Sequence, residues 1–150
     1  MTKRAVVNAS PLIQLAKIER LNLLNDFFGV VRIPHAVLLE IKDLDISTLS
    51  YEMLKVNDSN AAIRLLHPLH IGEAEVIISA IECNADFAIL DDMGARNKAV
   101  QLGLGVIGTL GILQRANKHG LISNLKRDIL CLRSSGMYMS DKLVQKILLQ

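Results

Sequence analysis

Short apolar runs alternate with helically spaced apolar stripes along this chain. Ala5, Val6 and Val7 form a β-branched run ending at Asn8, and Ser10-Pro11 then reads as a helix N-cap with proline in the first helical position. That helix continues through Leu12, Ile13, Leu15, Ala16 and Ile18, and a second short one runs from Leu21 to Phe28 until Gly29 closes it. Residues 30–33 predict strand two, and Pro34 opens a helix to Lys42 in which Glu40 sits among Ala36, Val37, Leu39 and Ile41. Residues 43–66 carry weaker signals: a loop, a strand over 53–56 and a short helix from Ser59.

The strongest pattern lies between Ile71 and Lys98. From Gly72 to Cys83, Val76, Ile77, Ile78, Ala80 and Ile81 recur at helical spacing and Asn84 stops the run. Glu75, Ser79 and Glu82 share a polar stripe, whereas Glu73 falls inside the apolar arc and is expected to point inward. A first-turn Glu is favoured by the helix dipole by about 0.3–1 kcal/mol, and an inward one also suits a metal or acid–base site. Phe87 to Leu90 reads as a buried parallel strand ending in Asp91 and Asp92. Ligands of open α/β sheets collect at such strand ends, while one of the two acids suits the N-cap of a helix beginning near Met93. Asn8, ending the first strand, faces the same crevice or serves as a turn residue.

Residues 96–102 are expected to be helical, 106–107 a last strand and 110–117 helical again, with Thr109 as an N-cap whose helix terminus could also receive a phosphate. Residues 122–132 and 140–149 read as terminal amphipathic helices, the second with Leu143, Val144, Ile147 and Leu148 in one stripe. Both are expected to cover the sheet or a dimer partner. Strands alternating with helices predict a three-layer α/β/α domain with a central parallel sheet.

Composition narrows the setting. With 150 residues, 51% of them hydrophobic, the chain suits one domain over 1–150 with its own core. No stretch approaches 18 apolar residues and only three follow Lys3-Arg4 before Asn8, so neither a membrane span nor a signal peptide is expected, and the cytoplasm is the expected location. Cys83 and Cys131 suit reduced thiols acting as small hydrophobes. The net charge of +2 divides unevenly: residues 1–92 hold 8 Lys/Arg against 13 Asp/Glu, residues 93–150 hold 9 against 2. An acidic region that holds cations beside a basic one that holds a polyanion fits this division.

Two motifs fail on context. Gly103, Gly105 and Gly108 match the dinucleotide fingerprint, but a helix precedes them and the strand residues lie inside them. His67, His70 and Glu73 have zinc-like spacing, but Pro68 breaks the helix it would need and no cysteine is near.

The stretches VVNASPLIQLAKIERLNLL, GEAEVIISAIECNADFAILDD, GAR and VIGTLGILQRA resemble the PIN (PilT N-terminus) domain, in particular a subgroup of predicted nucleic-acid-binding proteins related to toxin–antitoxin ribonucleases. The resemblance covers most of the chain. It implies a Mg²⁺- or Mn²⁺-dependent nuclease whose site residues are Asn8, where the family places Asp, with Glu40, Glu73 and Asp91. Glu40, Glu73 and Asp91 or Asp92 would be the metal ligands, with Glu75 as a close substitute. Ser10, Arg96, Lys98 and Thr109 would contact nucleic acid; RNA, an antitoxin protein and a second copy of the chain are the implied partners. The neutral Asn8 should weaken metal binding, since hard cations prefer anionic oxygen.

A rival expectation is a module that binds nucleic acid or an antitoxin-like peptide and has lost turnover with the first Asp. Only 3% of residues are aromatic, so phosphate contacts by Arg96, Lys98, Arg115, Lys118, Lys126 and Arg127 would dominate over base stacking. A phosphorelay receiver is disfavoured, because only 58 residues follow Asp92 and no later strand ends in Asp.

Overall fold

The short apolar runs become parallel strands, buried at the centre of the sheet and more exposed toward its edges. In the computed structural model, which describes residues 3–149, they are β1 (Ala5–Val7), β2 (Val31–Pro34), β3 (Tyr51–Leu54), β4 (Phe87–Ile89) and β5 (Gly105–Ile107). All pair in parallel in the order β3-β2-β1-β4-β5. Val6 lies level with Arg32 on one side of β1 and with Ala88 on the other, and Ala5, Val6 and Val7 are wholly buried.

Among the described residues the helices are α1 (Ala9–Lys17), α2 (Asn22–Phe28), α3 (His35–Glu40), α4 (Ser59–Arg64), α5 (Ile71–Glu82), α6 (Met93–Gln101), α7 (Thr109–Lys118), α8 (Leu125–Ser134) and α9 (Asp141–Leu148). With the sheet they make the expected three-layer α/β/α fold. None is long and apolar enough to cross a membrane.

The strand order places the site. From central β1 the chain builds β2 and β3 outward on one side, then returns to add β4 and β5 on the other. Beyond the carboxyl ends of β1 and β4 the connections therefore diverge, leaving the crevice that forms at a topological switch point.

Several local expectations are corrected. The first helix begins at Ala9, so Ser10 lies inside it and Asn8 occupies the cap position. Ser79 is buried rather than on a polar stripe. Glu75 and Glu82 instead hold backbone: Glu75 accepts the Ala36 N–H at the start of α3 (3.0 Å), and Glu82 accepts those of Asn57 and Asp58 ahead of α4 (2.9 Å each). Cys131 is exposed, since Ile129 and Leu132 take the inner face of α8. The terminal helices pack in series, α8 on α7 and α9 on α8, rather than across the sheet.

Candidate active site

Asn8 extends the β1 ladder by donating its N–H to Ile89 O (3.1 Å), which fixes its backbone at the strand's carboxyl end. An N-cap side chain normally accepts from the second or third helical N–H. Here the third helical residue is Pro11, which has none, and Asn8 makes no cap hydrogen bond. The side chain of this buried residue has no hydrogen-bond partner among the described residues and turns toward α5.

Gly72 lies opposite it. A Cβ on Gly72 would stand 3.1 Å from Glu40 Oε1 and 3.5 Å from Asn8 Oδ1, so both oxygens border one gap that this glycine keeps open. Glu40 is exposed at the end of α3 and forms no ion pair or hydrogen bond among the described residues. Glu73, next along, is 92% buried, as its place in the apolar arc predicts; its Oε1 accepts the His70 N–H at 3.0 Å, leaving Oε2 without a bond.

The neighbouring strand end is built differently. Asp91 Oδ1 accepts the Thr109 N–H (2.7 Å), and Oδ2 accepts the hydroxyls of Ser10 (2.8 Å) and Thr109 (2.7 Å). One carboxylate thereby caps α7, whose cap residue Gly108 has no side chain to do so, and fastens α1 to it. The absence of a Cβ at 108 is required, since it would lie 2.9 Å from Asp91 Oδ1 and 2.5 Å from an Arg96 nitrogen. Arg96 donates to Leu90 O at 3.0 Å, holding its guanidinium beside Asp91.

The other proposed contacts fall elsewhere. Asp92 is exposed and caps α6 by accepting the Ala95 N–H at 2.9 Å. Thr109 is wholly buried and commits both donors to Asp91, which corrects its reading as a phosphate contact: the N-terminus of α7 is already occupied by a carboxylate. Lys98 borders a separate depression of about 180 Å³ with Arg64 and His67.

A family model described as a PIN domain matches residues 4–150. The chain belongs to the PIN-domain family. A search of the curated proteins finds no match. The PIN domain is a nuclease-type fold that generally acts on nucleic acid with divalent metals.

Tested against that property, the oxygens of this PIN domain fit in kind. Asn8 Oδ1 and the Glu40 carboxylate border an open gap without protein partners, and one oxygen of Glu73 is unbonded. A carboxylate has about four acceptor positions, so Asp91, with three filled, retains one on Oδ1. No three His, Cys, Asp or Glu among the described residues stand close enough to share an ion by direct contact. A hard ion such as Mg²⁺ keeps several of its waters and so needs few direct protein ligands.

From Asp91 and Arg96 a cleft of about 900 Å³ runs along α7 to the segment before α9. Arg115 and Lys118 line it as the basic half of the sequence suggested, whereas Lys126 and Arg127 do not. Tyr138 and Lys146 also line it; neither was legible as a site residue, because only the fold of the terminal helices brings them there.

Proposed function

We propose that this PIN domain is a divalent-metal-dependent ribonuclease of the toxin–antitoxin type, which hydrolyses phosphodiester bonds at the carboxyl ends of β1 and β4. The observation that carries the reading is the Gly72 gap, bordered by two oxygens that the protein itself leaves without partners. Asn8 Oδ1, Glu40, the free oxygen of Glu73 and the remaining position on Asp91 Oδ1 would hold Mg²⁺ or Mn²⁺. Such an ion, when bound, activates a water and offsets charge developing on the phosphate.

The chain's own groups do the rest. Ser10 and Thr109 hold the Asp91 carboxylate in one orientation. Arg96, anchored on Leu90 O, supplies a planar donor for a phosphate oxygen at the mouth of the cleft. His70 N–H anchors Glu73 through one oxygen, and the other, unbonded, would be left to hold the ion. RNA as substrate, an antitoxin as protein partner, a homodimer as assembly and the cytoplasm as location belong to the same reading.

The test is Mn²⁺-dependent cleavage of a mixed, end-labelled RNA panel. Cleavage by the wild type that Asp91→Asn abolishes is expected; cleavage that survives Asp91→Asn contradicts the assignment. A second reading, a weakened or inactive module that binds nucleic acid or an antitoxin-like partner, draws support from the neutral Asn8 and from the spacing of the acids. Silence from the wild type with activity gained in Asn8→Asp would favour it.

A further inference from the structure

The cleft extends well beyond the carboxylates, and its far wall has a chemistry of its own. Arg96, Arg115, Lys118 and Lys146 line it, and Asp91 is the one carboxylate among its lining residues. None of these four cations forms an ion pair with a described carboxylate. Arg115 is steadied by the Phe87 ring, whose centroid lies 5.1 Å from its guanidinium carbon. The wall is therefore complementary to a polyanion, and it is continuous with the strand ends where a phosphodiester would be cut.

One residue narrows the class. Phe27, Phe28 and Phe87 pack against neighbouring rings, and Tyr51 lies on edge strand β3. Tyr138, between α8 and α9, is the sole aromatic residue lining the cleft and is 90% exposed. An acidic peptide would use the cations and has no need of the ring. A single nucleic-acid strand uses both, since a free base face stacks on an aromatic side chain while phosphates follow the basic groove. Bases paired in a duplex do not offer that face.

Resting on the nuclease reading for the direction of the strand, we propose that the C-terminal wall is a nucleotide-holding subsite for single-stranded RNA. Tyr138 stacks on a base, and Lys146 and Lys118 take phosphates at a distance from the carboxylates. It would select unpaired substrate and fix which nucleotides lie beside the cleavage point.

The experiment is fluorescence anisotropy of the full chain with a labelled ten-nucleotide A-rich RNA in EDTA, so that binding is read without cleavage. An abasic strand, the matching duplex and a poly-glutamate peptide serve as comparisons. The RNA is expected to bind more tightly than all three, Tyr138→Ala to weaken it about tenfold, and Tyr138→Phe to restore it. Tyr138→Ala should leave the abasic strand unaffected, whereas Lys146→Ala should weaken both and lower the salt slope by about 0.7. Unchanged RNA binding by Tyr138→Ala would overturn the proposal, as would equal binding of the abasic strand, no binding at low salt, or peptide binding with the same dependence on Tyr138. Adding Mn²⁺ afterwards separates the two readings: Tyr138-dependent binding without cleavage upholds the subsite and removes the nuclease, and cleavage with binding indifferent to Tyr138 does the reverse.

Discussion

Asn8 and Asp91 end adjacent strands of one sheet, yet their surroundings are opposite. Asp91 is bound by Ser10 and Thr109 on both oxygens, while the Asn8 side chain and nearby Glu40 make no hydrogen bond among the described residues and border the gap at Gly72. One strand end spends its polar groups on holding helices together; the other leaves them available to something outside the chain. The difference divides a single crevice into a hydrogen-bonded end and an open end, and substitutions should cost more stability at the first than at the second.

The largest effect is expected at the saturated end. Hydrogen bonds to charged groups contribute about 1.5–3 kcal/mol each, so Asp91→Ala, which removes three in a half-exposed setting, should lower stability by about 3 kcal/mol in urea unfolding. A change below about 0.5 kcal/mol would mean that the bonds do not anchor α7. Gly108→Ala comes next, because its methyl would crowd both Asp91 and Arg96; about 2 kcal/mol is the expected loss, with a near-neutral melt as the contrary result. Thr109→Val removes only the hydroxyl bond and should cost about 1 kcal/mol. At the open end, Glu40→Gln should change stability by less than about 0.5 kcal/mol while removing Mn²⁺-dependent cleavage. Stability lost together with activity in that variant would erase the contrast.

These assignments also mark what the chain shows before folding. The parallel α/β/α arrangement follows from buried β-branched runs separated by helical stripes, and the inward Glu73 from its place in the arc. Helix ends were less legible, because caps arrive from distant residues: Asp91 caps α7 from the turn after β4, and Glu75 caps α3 from α5. Paired acids at 91 and 92 look equivalent as a string, and only the turn after β4 gives one to the crevice and the other to α6. Gly72 carried no signal either, since its value lies in the side chains it leaves room for. Asp128 carried no signal in the sequence; it is buried where its 3.1 Å pair with Arg20 joins α8 to the turn after α1.

The most direct test of the central claim is a Mn²⁺ titration of the wild type, Gly72→Ala and Asn8→Asp, with the free ion followed by its paramagnetic resonance signal. If the ion is held at the gap, one added anionic oxygen in Asn8→Asp should tighten binding about tenfold, and the methyl of Gly72→Ala should weaken it by a similar factor. Affinities equal to wild type in both variants would place any ion elsewhere and contradict the account.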